Sequence, residues 1–224
     1  SMDSMLTDTR PSDAEAERSL AAVSRHRSGF LALAAGGLRW DYPRLAAVAA
    51  ERADCLVRAG LRPGQVVLCP AQPAVELVLM QHALPRAGAA LLPVAADLDA
   101  SRRQALIRST GSEWVWQPAC ETAVEPRADT GRLVRTGTGT GTGCGQSGPS
   151  EATAQADPLA LLVQTSGSGG APKVAMLTVG GLRASATAIN ARFGLRAGDA
   201  WLGVLPRQHI GGLAIAWRCA LAGA

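Results

Sequence analysis

A chain of 224 residues, 47% hydrophobic and 18% charged, is long enough and apolar enough to bury a substantial core. Its net charge of +4 is modest, and its arginines are scattered without interleaved aromatics, which argues against a nucleic-acid surface. No apolar run approaches the ~20 residues of a membrane-spanning helix. The five cysteines, Cys55, Cys69, Cys120, Cys144 and Cys219, include no C-x-x-C pair and no Cys/His cluster, so no metal site is expected. Cys55, Cys69 and Cys219 lie in apolar runs, where a thiol acts as a small hydrophobe, and the pattern suits a reduced, cytoplasmic protein.

Residues 1–28 form a polar amino-terminal extension, with a helix expected around 13–25 and no signal-peptide character in its first residues. Asp41 is placed to cap a helix that carries Leu45, Val48, Ala49, Leu56 and Val57; Pro43 suits its first turn and Gly60 its end. Arg62 to Gln65 reads as a turn into a strand at Val66–Cys69. A second helix is predicted from Pro73 to Arg86, and a short buried strand from Ala89 to Val94. Asp99 caps a third helix to Ser109, and Trp114–Trp116 reads as another strand. Helices and near-continuous apolar strands joined by short connections predict an α/β fold, with layered parallel or mixed sheets flanked by helices.

Between about 121 and 157 the texture changes. Four consecutive Thr-Gly pairs fill 136–143, and half of those positions have no side chain to bury, so a flexible surface insertion is expected. A strand at Leu159–Val163 then delivers a glycine-rich loop, followed by an apolar segment to Leu177 and a helix capped by Thr178. Arg196 to Asp199 reads as a turn, Trp201 to Leu205 as a strand and Gly211 to Leu221 as a helix.

Function concentrates in that loop. Lys173, the single lysine among 22 basic residues, closes the run Thr165, Ser166, Gly167, Ser168, Gly169, Gly170, Ala171, Pro172. Glycines allow close approach of the backbone, the hydroxyls donate to phosphate oxygens, and lysine is a compact point charge. The spacing is neither a Walker A loop nor the dinucleotide fingerprint. On composition alone the loop reads either as a polyphosphate cradle or as a mobile hairpin with an incidental lysine. His209, taken by itself, is more often a core or turn histidine than a functional one. Arg207 reads either as a solvated strand-end arginine or as a partner for a second carboxylate on a diacid. Trp201 and Trp217 read as core, and no paired acids stand near the loop for acid–base catalysis.

At these residues the chain resembles the adenylate-forming, AMP-binding superfamily of acyl-CoA synthetases, peptide-synthetase adenylation domains and luciferases. The family loop Thr-Ser-Gly-Thr-Thr-Gly-x-Pro-Lys-Gly is similar to TSGSGGAPKV here. The family block Leu-Pro-x-x-His-x-x-Gly-Leu is matched by Leu205, Pro206, His209, Gly212 and Leu213. Leu38 to Leu45, Gly60 to Leu68 and Arg86 to Val94 resemble further blocks in the same order, so the likeness covers about residues 30–224. The tail from Trp201 looks most like the o-succinylbenzoate–CoA ligases of menaquinone synthesis.

That resemblance implies the large amino-terminal domain of such enzymes over 29–224, and ATP-dependent activation of a carboxylic acid as its acyl-adenylate. Thioester formation follows, with CoA as co-substrate and Mg²⁺ accompanying ATP. It implies that Thr165, Ser166, Gly167, Ser168, Gly169 and Gly170 hold phosphates, that Lys173 offsets developing negative charge, and that His209 borders the carboxylate pocket. The implied partners are the acid, ATP and CoA, with no nucleic acid and no membrane span; a homodimer stays open. Two positions depart from the pattern: Gly169 replaces a hydroxyl residue, and Val174 stands where glycine is usual. The family's later blocks, which bring the adenine pocket, the ribose-binding aspartate and a lid lysine, have no counterpart here. The resemblance therefore implies a truncated enzyme, inactive alone; a non-catalytic binding or interaction remnant is the alternative.

Overall fold

A computed structural model describes residues 29–119, 131–136, 157–165 and 173–224. The expected helix at 13–25, the Thr-Gly repeats after Thr136, Cys120, Cys144 and the loop residues Ser166, Gly167, Ser168, Gly169 and Gly170 lie outside them. The described chain opens with an antiparallel hairpin, β1 (Leu31–Ala35) and β2 (Leu38–Asp41), that the sequence reading missed. Its signal was present: Gly36 and Gly37, both at positive φ, join two short apolar runs in the manner of a tight hairpin turn.

Helix α1 (Tyr42–Arg58) starts where Asp41 accepts a hydrogen bond from the Arg44 N–H at 2.8 Å. It buries Tyr42, Leu45, Val48, Ala49, Ala53 and Leu56, a stripe at helical spacing. After the turn at Arg62–Gln65 come β3 (Val66–Pro70), α2 (Ala74–Arg86) and β4 (Ala90–Val94). Every residue of α2 from Glu76 to Leu84 is buried, because the helix is sandwiched between α1 and the sheet. Helix α3 (Ala100–Thr110) begins at Asp99, which accepts from the Arg102 N–H at 2.8 Å, and ends at left-handed Gly111.

The main sheet has six strands in the order β6–β5–β3–β4–β7–β8, where β5 is Trp114–Gln117, β6 Arg132–Arg135, β7 Leu159–Thr165 and β8 Lys173–Thr178. The four central strands run parallel, and β6 and β8 are antiparallel edges, so the expected mixed sheet is present. Val67, Cys69, Leu91, Leu161 and Val163 face α1, α2, α4 (Val179–Phe193) and α5 (Ile210–Ala222). Leu68, Ala90, Leu92, Val94 and Leu162 face α3, which buries only Leu106 and Ile107 against them. Alternate burial on one strand thus serves two cores.

Two expectations need correction. Residues 132–135, placed in a flexible insertion, form β6, because Leu133 and Val134 pair with Trp116 and Val115 along the open edge of β5. Trp201 to Leu205, expected to be a strand, runs without a ladder partner among the described residues. Leu202 is 79% and Val204 74% exposed, so apolar alternation did not suffice where no neighbouring strand supplies hydrogen bonds.

Candidate functional site

Four buried residues, Ala160 to Val163, hold β7 in the sheet, and the strand leaves the core at Gln164 and Thr165. Chain direction then reverses, and Lys173 opens β8 directly opposite Thr165. The Thr165 hydroxyl donates to the Lys173 carbonyl at 3.4 Å, a long contact that tethers the two ends of the glycine-rich segment. Both residues are exposed, and Lys173 has no ion pair among the described residues. They sit at the carboxyl end of the parallel strands, where ligands of open α/β sheets bind. Val174, the departure from the family's glycine, is a strand residue paired with Gln164 and packed against the α3-side core.

The helix that follows β8 is not a free anion site. The Asp157 carboxylate accepts from the Gly180 N–H at 2.8 Å, and the Thr178 hydroxyl accepts from the Gly181 N–H at 3.2 Å. Those first-turn donors of α4 are spent on the protein itself. They also stand a full strand length, roughly 17 Å, from Lys173. Anion binding near Lys173 must therefore come from the hairpin and its ammonium, without the α4 dipole. Asp157 was overlooked as a cap because it lies 23 residues from Gly180.

His209 is the residue before α5, in an extended conformation, with its side chain exposed and not used to cap the helix. The turn before it is tight: the His209 N–H donates to the Pro206 carbonyl at 3.2 Å, and the His209 carbonyl accepts from Gly212 and Leu213 at 3.0 Å. A Cβ on Gly212 would stand 2.5 Å from the Pro206 oxygen, which explains the glycine of this block. One turn further on, Leu213 belongs to the same core as Val163 of β7, so the histidine's helix is anchored to the strand that delivers the loop. Gly212→Ala is expected to force this turn open at a cost of about 1–3 kcal/mol, read by denaturant unfolding. A variant as stable as the parent would refute the close fit.

The remaining candidates resolve as follows. Trp217 is buried against His82, with ring centroids 6.4 Å apart, as core. Trp201 is half-buried, edge-on to Phe193 and 5.3 Å beneath the Arg218 guanidinium. Arg207, read as solvated or acid-pairing, is half-buried and donates to the Gly203 carbonyl at 3.2 Å. A cavity of about 640 Å³ is lined by Asn190, Leu195, Arg196 and Leu221, at the far end of α5 from His209, and takes no part in this site. The described residues include no group of three or more His, Cys, Asp or Glu that could hold a metal.

Comparison with known proteins decides the family. The model of the AMP-binding enzyme family matches residues 20–224. The chain belongs to the AMP-binding enzyme family. A 2-succinylbenzoate–CoA ligase of Bacillus cereus (strain AH820) is 28% identical over 165 residues, covering 71% of this chain and 32% of that enzyme. A probable 2-succinylbenzoate–CoA ligase of Mycobacterium tuberculosis (strain CDC 1551 / Oshkosh) is 48% identical over 67 residues, 30% of this chain and 17% of the other. Among solved structures, an E. coli MenE variant with bound OSB-AMS superposes with a TM-score of 0.70 at 26% identity, covering 92% of this chain and 44% of that one. Bacillus subtilis MenE with OSB-AMP gives a TM-score of 0.71 at 21% identity, covering 92% and 53%. This AMP-binding chain thus spans about a third of its curated relatives' length and about half of the solved enzymes'.

Proposed function

We propose that this chain carries the phosphate-gripping and acid-facing part of an acid–thiol ligase that works through an acyl-adenylate. A substrate carboxylate oxygen bonds to the α-phosphorus of ATP as the bond to the β-phosphate oxygen breaks and pyrophosphate leaves. A thiol, CoA in this reading, then bonds to the acyl carbon and releases AMP. The observation that carries the proposal is the Thr165–Lys173 clasp at the carboxyl end of β7, in a chain matched by the AMP-binding family over residues 20–224.

Each residue has a part in it. Thr165, Ser166, Ser168 and the amides of Gly167, Gly169 and Gly170 hold phosphate oxygens, and Lys173 offsets the charge that grows on them. His209 orients the acid from the start of α5. Mg²⁺ arrives with the triphosphate, as it does where few protein ligands are present. The relatives' names point to 2-succinylbenzoate as the first acid to try. The 224 residues taken alone are proposed to bind without turning over; acid-dependent pyrophosphate release by them would contradict this. A cytoplasmic setting is proposed from the free thiols of Cys55, Cys69 and Cys219; no helix among the described residues is long and apolar enough to cross a membrane.

Thermal-shift titration with ATP and with an acyl-sulfamoyl adenosine tests the reading. Both ligands are expected to raise the melting temperature. Lys173→Ala is expected to weaken them by about tenfold or more, the loss of one charge-assisted hydrogen bond worth about 1.5–3 kcal/mol. A chain that neither ligand stabilises, or a variant that matches the parent, would leave the non-catalytic alternative in its place.

A further inference from the structure

We propose that Lys173 is also a self-acylation site: its amine takes the acyl group from an acyl-adenylate held at the loop, and the amide so formed switches off the phosphate grip. The inference rests on the ligase reading above and deepens it by a regulation of the same site. Lys173 is the one side-chain amine in the chain, every other member of its 22 basic residues being arginine. A guanidinium keeps its proton inside proteins and does not attack a mixed anhydride, whereas an amine that sheds a proton does. A chain that raises carboxylic acids to the anhydride level thus exposes a single side-chain amine of its own, and that one stands at the mouth of the loop.

Its placement follows from the sheet. Lys173 pairs with Thr165 across the β7–β8 ladder, and the Thr165 hydroxyl donates to its carbonyl at 3.4 Å, so the flexible four-carbon stem springs from a fixed point. The residue is exposed and has no ion pair among the described residues. Once pyrophosphate has left, the α-phosphate of the adenylate is the anion that remains for it. The acyl carbon is joined to that phosphorus through one bridging oxygen, so an amine in hydrogen-bond contact with the phosphate lies on the order of 4 Å from the carbon. After the ammonium gives a proton to solvent, its nitrogen bonds to the acyl carbon. The bond from that carbon to the phosphate oxygen breaks, AMP leaves with the electron pair, and the nitrogen's second proton goes to solvent. Two of the thiols are poor rivals, because burial pushes Cys219 up to about 11 and Cys69 well above the ordinary thiol range. The amide leaves a neutral side chain that no longer offsets the charge of a triphosphate.

The test mixes the chain with benzoyl-adenylate, a true mixed anhydride, and locates the added benzoyl groups by peptide mass spectrometry after neutral hydroxylamine has stripped any thioesters. Lys173 is expected to be labelled about tenfold or more faster than the amino terminus, because the bound donor is held beside it. A non-reactive acyl-sulfamoyl adenosine should suppress the Lys173 label and leave the amino-terminal one. The labelled protein should lose its ATP-induced thermal shift while circular dichroism shows it still folded. Whatever shift Lys173→Arg shows before treatment should survive it. Equal labelling of Lys173 and the amino terminus, a Lys173 label that the competitor does not suppress, a labelled protein that ATP still stabilises as it does the parent, or a loss shared by Lys173→Arg overturns the assignment while leaving the ligase reading intact. Failure of both ATP and the acyl-sulfamoyl adenosine to stabilise the untreated chain overturns the ligase reading itself.

Discussion

Glu76→Leu is expected to destabilise the protein by about 3–5 kcal/mol in denaturant unfolding, the largest single-residue effect anticipated here. The reason is Arg52, on α1, whose side chain is fully buried and forms an ion pair with Glu76 on α2. The same guanidinium lies 4.5 Å over the Trp116 ring of β5 and contacts the Met80 sulfur at 3.8 Å. Removing Glu76 takes the ion-pair partner from a buried charge that cannot be neutralised, because arginine does not give up its proton inside proteins. Arg52→Met should cost less, since a stranded carboxyl group can discharge by taking up a proton. The double variant Arg52→Met, Glu76→Leu is expected to recover most of the loss, because two well-packed apolar groups need no partner. A Glu76→Leu protein within about 0.5 kcal/mol of the parent would show that the pair contributes nothing to holding α1 on α2.

Acid should expose a second buried group. His82, on α2, is packed against Trp217, and burial lowers its pKa from 6.5 to about 4. Between those values the unfolded chain binds a proton that the native chain does not, so stability falls as pH drops from about 6.5 to about 4. At 1.36 kcal/mol per unit, the loss across that window is roughly 3 kcal/mol, with no contribution above it. His82→Leu cannot titrate, so its stability should fall less steeply than the parent's through the same window. Equal slopes for the two proteins, read from urea unfolding at pH 7.5, 6, 5 and 4.5, would mean that His82 reaches solvent in the native state.

What could be read from residues alone was local. Asp41, Asp99 and Thr178 cap the helices they were expected to cap, because a cap depends on an N–H three residues away. The apolar strands and the helices between them were legible for the same reason, and family blocks such as that from Leu205 to Leu213 identified the lineage before any coordinates. Whether an extended segment becomes a strand was not legible. Residues 132–135 pair because β5 offers an open edge, whereas Trp201 to Leu205, the more apolar of the two, has none among the described residues. The Arg52–Glu76 pair, the Asp157 contact to Gly180 and the burial of His82 were equally hidden, since each joins residues more than 20 positions apart. Likewise, sequence placed Lys173 after a glycine-rich loop, but only sheet register set it opposite Thr165 at the carboxyl ends of the parallel strands. Short-range hydrogen bonds and hydrophobic period are written in neighbouring residues; partners brought together by chain reversal exist only once the sheet has formed.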